Sequence, residues 1–286
     1  MFTDSQATPI RLEILIDLLN EYSVGLKRDA IYDLLQPPSL SEGSHNAAQD
    51  TLGAALQLGL IEENKKIITL SKEYDEKKSS KENILKTCDD MVLSRVDIEY
   101  HLALFYAYYL GQNNTVSPFP KRVLYEEWAN NFNRDVFKNK TEKNKFNPTK
   151  INGLIHWLGY LGLGWYDSND DFHANPYERL LRVIPIIFEK ETKMEIDPFM
   201  SKLGKLCPEL DGGSIFIKAN EYKNYKTIDK QCTLGLSHAL IELHEDEVIR
   251  LYCPVDSRGW NIGIAQPPRD DTIKQDRITL VEYIGR

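Results

Sequence analysis

The chain uses one local pattern twice: an apolar helix that ends at Leu-Gly and is followed by a short β-hairpin. The first copy reads ALQLGLIEE at residues 55–63, and the second reads WLGYLGLGWYD at residues 157–167. Gly is favoured just after a helix because it adopts positive φ without a steric penalty. A winged helix has this junction between its third helix and its wing. The repeat therefore predicts tandem winged helix-turn-helix domains, a mostly α fold with small β-hairpins (α+β).

The predicted first domain covers residues 1–83. Thr8 and Pro9 favour the start of a helix, because Thr caps free amide groups and Pro fits the first turn. Gly59 favours the end of the third helix. The apolar spacing predicts helices over residues 9–19, 26–35 and 46–58, strands over residues 60–62 and 67–70, and a charged connector over residues 72–86.

Two more domains are predicted, a second winged helix over residues 84–175 and an elaborated, winged-helix-like α+β domain over residues 176–286. The elements expected in the second are helices over residues 84–111 and 121–131, a helix capped by Asn147, and strands over residues 164–166 and 171–174. Those expected in the third are helices over residues 176–189, 198–207 and 233–244, a strand over 214–217, a hairpin of 248–253 with 260–265, and an edge strand over 277–283.

The charge distribution indicates one segment for nucleic-acid contact. The net charge of −8 counts against a protein that coats DNA non-specifically, because such binding depends on Lys and Arg. Residues 134–150 differ, since this segment contains six basic side chains and only two acidic ones. The candidate binding residues in and just after this segment are Arg134, Lys138, Lys140, Lys143, Lys145, Lys150 and Asn152. The alternative interpretation is a solvated loop.

Further candidates lie on the predicted hairpins. Lys65 and Lys66 occupy the turn of the first hairpin, where they could contact phosphate. Arg258 lies at the tip of the hairpin in the third domain, where it either enters a minor groove or braces its own turn. The exposed start of the first domain's third helix carries no cation: Ser44, His45, Asn46, Gln49 and Asp50. The side-chain amides of Asn46 and Gln49 can pair with adenine edges. The alternative interpretation is a solvated helix face.

Catalytic and metal-binding patterns are weak. His238 and Glu242 lie four residues apart on a predicted helix, but no zinc spacing and no P-loop accompany them. The four cysteines are scattered, which favours buried thiols in a reducing cytoplasm. The first residues do not form a signal peptide, and the apolar stretch 102–110 is too short to cross a bilayer. We therefore predict a cytoplasmic protein with no enzymatic activity, metal or cofactor.

The layout resembles that of a known family. The sequence LALFYA at residues 102–107 opens the second domain, and RGW at residues 258–260 lies in the last hairpin. This tandem arrangement is similar to the DpdG-like accessory proteins of bacterial gene clusters that insert 7-deazaguanine derivatives into DNA and restrict unmodified DNA. The resemblance implies a non-enzymatic partner of DNA-processing ATPases, helicases or nucleases in phage defence, and it transfers no catalytic residues.

Three functional hypotheses follow. The first is a non-catalytic adaptor that binds DNA and a larger protein complex of a defence system, with DNA at the second domain and protein at the first. The second is a winged-helix transcriptional regulator, which would dimerise and protect a palindromic operator. The third is an enzyme with an unrecognised site.

Overall fold

The computed structural model describes residues 7–41, 44–93, 100–112, 121–138, 146–169, 171–223, 230–252, 259–262 and 277–285. These residues are mostly helical and carry small antiparallel sheets, which confirms the predicted α+β class. Across the described ranges, every helix is too short or too polar to cross a membrane.

The first described stretch, up to residue 93, contains five helices and three strands. Its elements are α1 (Pro9–Glu21), β1 (Leu26–Lys27), α2 (Arg28–Leu35), α3 (Pro38–Ser41), α4 (Asn46–Gln57), β2 (Ile61–Asn64), β3 (Ile67–Leu70), α5 (Ser80–Cys88) and a π-helical turn (Asp89–Leu93). Thr8 caps α1 by accepting the Arg11 amide proton at 3.4 Å. Gly59 follows α4 with a φ of +67°. Both predicted helix boundaries are thus confirmed.

Two predictions in this stretch need correction. The second helix begins at Arg28, because Leu26 and Lys27 pair with Ile68 and Ile67 as strand β1. The charged connector is shorter than predicted. A capping box, in which Ser79 and Glu82 bond each other's backbone amides, starts α5 at Ser80.

The middle of the chain contains the second copy of the Leu-Gly pattern. Its elements are α6 (Tyr100–Gln112), a 3-10 turn (Arg122–Leu124), α7 (Tyr125–Asp135), α8 (Pro148–Tyr160), β4 (Gly164–Tyr166) and β5 (Phe172–Ala174). The Asn147 side chain accepts the Lys150 amide proton at 3.0 Å, as expected of the cap of α8. The helix predicted over 84–111 is not one described α-helix, since α5 ends at Cys88 and α6 begins at Tyr100.

The remaining elements form the last part of the fold. They are α9 (Tyr177–Ile187), β6 (Lys193–Glu195), α10 (Ile196–Leu206), α11 (Ser214–Ala219), a 3-10 turn (Glu221–Lys223), α12 (Leu234–Glu245), β7 (Ile249–Tyr252), β8 (Trp260–Asn261), β9 (Arg277–Ile278) and β10 (Leu280–Tyr283). The three helices predicted for this region over 176–189, 198–207 and 233–244 correspond to α9, α10 and α12.

The predicted strands of this region need three corrections. Residues 214–217 begin helix α11, with the Ile217 amide bonded to the Gly213 carbonyl at 2.9 Å. A short apolar run such as residues 215–217 fits a strand and a buried helix equally well, so its periodicity cannot distinguish them. Strand β7 pairs with β10, whereas β8 pairs with β9, so the predicted hairpin does not form. Strand β10 lies in the middle of its sheet because Val281 is buried between neighbours on both sides.

The chain divides into two compact units, which are described separately here. The first comprises residues 1–102 and 147–160, and the second comprises residues 103–146 and 161–286. Helix α8 therefore belongs to the first unit, and hairpin β4–β5 to the second. The three-domain division at residues 83/84 and 175/176 stays a prediction.

One strand order occurs in both units. Residues 7–70, here called the N-terminal module, form a sheet of order β1-β3-β2 beside α1, α2 and α4. Residues 177–285, here called the C-terminal module, form a sheet of order β6-β10-β7 with α9, α10 and α12 in the corresponding places. In each sheet the last strand in the chain lies in the middle.

Candidate nucleic-acid interface

Helix α4 of the N-terminal module presents a polar face without a cation to solvent. Asn46, Gln49 and Gln57 are exposed, and Asp50 and Gly53 are partly exposed on the same side. A Cβ added at Gly53 would meet no atom within 4 Å, so this face is open. It offers amide donors and acceptors without a cation for phosphate.

His45, at the start of α4, turns toward α2 rather than outward. Its ring centroid lies 5.9 Å from that of Tyr32, and its Nε2 lies 3.7 Å from Asp33 Oδ1. The side-chain oxygen of Gln36 accepts the Ala48 amide proton at 3.1 Å and so satisfies one free amide at this helix start. Of the residues predicted here, Ser44, Asn46 and Gln49 are exposed and Asp50 is partly exposed.

The turn between β2 and β3 projects two lysines. Lys65 and Lys66 have φ values of 50° and 68° and are exposed. Two successive residues in the left-handed region form the tight turn that matches the twist of a two-residue hairpin. Close by, Arg28 forms an ion pair with Glu63 on β2, with 2.5 Å between Nη2 and Oε2. That hydrogen bond lowers the pKa of the Glu63 carboxyl.

Two of the candidate residues, Arg134 and Lys138, lie in the second unit at the end of α7. Arg134 Nε lies 2.7 Å from Asp135 Oδ1, so much of its charge is balanced within its own helix turn. Lys138 is exposed, with a φ of 52°. Lys140, Lys143, Lys145 and Arg258 lie outside the described residues. In the first unit, Lys150 and Asn152 are partly exposed in the first turns of α8.

Asn133 fixes both ends of the basic segment to the core of the second unit. Its side-chain nitrogen donates to the Phe146 carbonyl at 2.8 Å, and its side-chain oxygen accepts the Phe146 amide proton at 3.0 Å. Phe146 is buried, with its ring 4.8 Å from both Phe105 and Phe132. Residues 133 and 146, which flank most of the basic segment, are thus held together in the core. Sequence reasoning missed Asn133, which carries no signal that distinguishes it from the other asparagines nearby.

The start of helix α12 in the C-terminal module is more enclosed than the start of α4. Leu236, Ser237, Ala239 and Leu240 are buried. Thr233 caps the helix and accepts the Leu236 amide proton at 3.4 Å. A Cβ on Gly235 would lie 2.8 Å from Leu110 Cδ2 of α6. The start of α12 is therefore enclosed by protein.

The C-terminal module also contains buried ionisable groups of the kind found in active sites. The carboxylate of Asp211 accepts the amide and hydroxyl protons of Thr233 at 2.6 and 2.8 Å, and burial raises its pKa to about 6. Arg179 Nε lies 3.2 Å from Glu209 Oε1, and both side chains are buried. Both groups are closed from solvent and bonded to structural partners.

Metal and thiol sites give no further candidate in the described part of the chain. No group of three or more His, Cys, Asp or Glu residues there is arranged to hold a metal ion. His238 is half-buried, which lowers its pKa, and Glu242 partly opposes that shift. Cys88, Cys207 and Cys232 are buried free thiols, as predicted, whereas Cys253 lies outside the described residues.

These features define an α+β protein with two modules of one strand order, an open polar helix in one module and a basic segment fixed at both ends. The family model described as DpdG-like matches residues 1–257. The chain therefore belongs to the DpdG-like family, which confirms the resemblance and fits a DNA-modification context. No curated protein and no solved structure matches the chain.

Proposed function

We propose that this protein is a non-catalytic adaptor of a bacterial DNA-modification and phage-defence system, in which it binds both DNA and a protein partner. The family match over residues 1–257 is the observation that carries the proposal. The enclosure of the ionisable groups Arg179, Glu209 and Asp211 supports a role without catalysis.

Tandem winged helix-turn-helix domains are part of this proposal. The N-terminal module has the helix and strand succession of a winged helix. Apart from the four-residue α3, α4 is its third helix, and β2–β3 corresponds to the wing. The C-terminal module repeats its strand order with α12, β7 and β10. In the middle of the chain, the proposal of a further copy rests on the order of elements along the sequence alone, in which α8 is followed by hairpin β4–β5.

The DNA contact is assigned to the basic segment at residues 134–150. Six cations in one stretch of an otherwise acidic chain supply the attraction to phosphate. The bonds between Asn133 and Phe146 hold both ends of the stretch in place.

The protein contact is assigned to the N-terminal module. The outer face of α4 carries Asn46, Gln49 and Gln57 and no cation, and Glu62 and Glu63 lie on the neighbouring strand β2. Such a face offers no cation to phosphate and suits hydrogen bonds to another protein. A transcriptional regulator is the second candidate, because Lys65 and Lys66 at the wing tip and the amides of α4 are placed as in a groove-reading module.

Charge reversal tests the DNA contact. The substitutions Lys138→Glu, Lys140→Glu, Lys143→Glu and Lys145→Glu are combined in the full-length chain, and binding to a labelled duplex is followed by fluorescence anisotropy over a salt series. Each phosphate contact contributes about 0.9 to the slope of log K against log salt concentration. We expect weaker binding and a flatter slope for this variant.

The matched control reverses four other exposed lysines: Lys72, Lys77, Lys190 and Lys205. It changes the net charge of the chain by the same amount and leaves the basic segment intact. Equal slopes for the two quadruple variants would show that the segment makes no specific contribution.

A further inference from the structure

Hairpin β4–β5 in the second unit carries an aromatic side chain that faces solvent. Trp165 pairs with His173 across the hairpin, and the next pair is Tyr166 with Phe172. Because successive side chains of a strand point to opposite faces, Trp165 and His173 share one face. Phe172, on the other face, is buried in the core. Trp165 therefore points away from the core, and 51% of its surface is exposed.

The indole of Trp165 is held in place from one side. Its ring stacks on that of His173, with 4.7 Å between centroids and 18° between planes. His173 Nε2 lies 3.2 Å from Asp167 Oδ2. Asp167 Oδ1 in turn accepts the amide protons of Asn169 and Asp171 at 2.8 and 3.0 Å. The hairpin turn thus fixes the carboxylate, the carboxylate fixes the imidazole, and the imidazole fixes the indole.

This arrangement leaves one ring face open for a ligand. His173 covers one face of the indole, so the high exposure of Trp165 requires the opposite face to reach solvent. An aromatic plane that is already fixed loses little conformational freedom when a second plane stacks on it. Every nucleobase has a π-face, and stacking on aromatic side chains is how proteins hold unpaired bases.

The charges around the hairpin allow a nucleotide to approach. The Asp167 carboxylate is surrounded by two amide protons and His173, which lower its pKa together. Asp171 Oδ2 lies 3.7 Å from Lys121 Nζ, so its charge is partly balanced. Lys121 is exposed, and so is Arg122, the next residue in the chain.

We propose that Trp165, braced by His173 and Asp167, is a stacking platform for an unpaired nucleobase of DNA. The inference rests on the proposed function, since it assumes that the chain meets DNA. It adds that the contact includes single-stranded or flipped-out nucleotides rather than phosphate alone. His173 and Asp167 act as positioning residues, because they hold the indole and do not touch the base.

The test compares a base-bearing strand with an abasic one. A labelled oligothymidylate of about 16 nucleotides and the same strand with tetrahydrofuran abasic sites are titrated with the full-length chain, and anisotropy and tryptophan fluorescence are recorded. We expect the wild type to bind the base-bearing strand more tightly, with quenched indole emission. Trp165→Ala should weaken that binding about fivefold to a hundredfold and leave binding to the abasic strand unchanged.

Two further variants sharpen the result. Trp165→Phe keeps a ring and should retain part of the preference for bases. Ile186→Ala removes another exposed apolar side chain of the same unit, 58% exposed on α9, and should bind both strands as the wild type does. Thermal melts establish that each variant is folded.

Three outcomes would overturn the platform. One is a wild type that does not distinguish the two strands, and another is a Trp165→Ala variant that binds the base-bearing strand as tightly as the wild type. If duplex binding in the salt series persists in either case, only the platform fails. A wild type that binds neither duplex nor single strand would overturn the platform and the DNA contact of the proposed function together.

Discussion

The N-terminal and C-terminal modules share a strand order but place their last helices in different surroundings. Helix α4 turns Asn46, Gln49 and Gln57 to solvent, whereas most side chains in the first half of α12 are buried. The start of α4 lies near the surface beside Gln36, while the start of α12 is bonded to the buried Asp211 through Thr233. One topology therefore supplies an open contact surface in one place and a core element in another.

The ion pairs of the two modules also differ in exposure: the pair in the N-terminal module lies at the surface, and the pair in the C-terminal module is buried. Arg28 and Glu63 pair at the surface, with side chains 43% and 29% exposed. Arg179 and Glu209 pair in the interior, with side chains 2% and 0% exposed. Because water screens a surface pair and cannot screen a buried one, the same chemical contact has very different consequences for stability.

The largest expected effect comes from breaking the buried pair. Arg179→Met leaves the Glu209 carboxylate in the interior without its guanidinium, which should lower the free energy of unfolding by about 3–5 kcal/mol. Arg28→Met should leave the melting temperature unchanged within error, since that pair is solvated. Denaturant unfolding of both variants measures the difference. Similar losses in the two variants would contradict the contrast between the modules.

A smaller effect is expected from two glycines, one in each helix. A Cβ on Gly235 of α12 would meet Leu110 Cδ2 at 2.8 Å and the Ala174 carbonyl at 3.2 Å, so Gly235→Ala should destabilise the protein by about 1–3 kcal/mol. Gly53 of α4 faces open space, and Gly53→Ala should stabilise by about 0.5–1 kcal/mol through helix propensity. Thermal melts should move in opposite directions, and a shared direction would refute the assignment of open and enclosed helices.

The smallest expected effect is a pH dependence of the free energy of unfolding that arises from Asp211 in the C-terminal module. Burial raises the pKa of Asp211 to about 6, above its ordinary value of 3.8. The folded state then holds a proton that the unfolded state has lost, so this contribution to stability decreases as pH rises from about 4 to about 6. The loss should be on the order of 1 kcal/mol between pH 5 and pH 8.

The variant Asp211→Asn isolates this contribution. The amide keeps an oxygen to accept the Thr233 amide proton and cannot ionise. The melting temperature of the wild type, relative to that of Asp211→Asn, should fall as pH rises through this window. A difference that stays constant with pH would mean that Asp211 has an ordinary pKa in the folded protein.

Much of the local structure could be predicted from the sequence. Thr8 and Pro9 place the start of α1, Gly59 places the end of α4, and Asn147 caps α8. Strands β4 and β5 also lie where the alternation of residues places them. These features depend on chemistry within a few residues, which the sequence displays directly.

Elements that depend on distant partners could not be predicted. Strand β1 exists because Leu26 meets Ile68, and β10 is central because Val281 meets Met194 on one side and Leu251 on the other. The short run at residues 214–217 has the composition of a strand and folds as part of α11. For β1 and β10 the deciding contact is made by residues far away in the chain.

The candidate site also has features that the sequence predicts and features that only the structure shows. The sequence shows the excess of cations at residues 134–150. It does not show that Asn133 bonds Phe146 or that Arg134 is balanced by Asp135. The stack of Trp165 on His173 could have been anticipated from the hairpin register, but its exposure could not.

The sequence by itself determined the α+β class, the start of α1, the end of α4, the cap of α8, the turns of hairpins β2–β3 and β4–β5, and the position of the basic segment. Only the tertiary structure decided which helix face is open, which ion pair is buried and which aromatic ring faces solvent. Caps, turns and charge counts are local properties, so they can be recognised from neighbouring residues. Burial is a property of the packed chain, because it depends on residues such as Leu110 and Gly235 that meet only after folding.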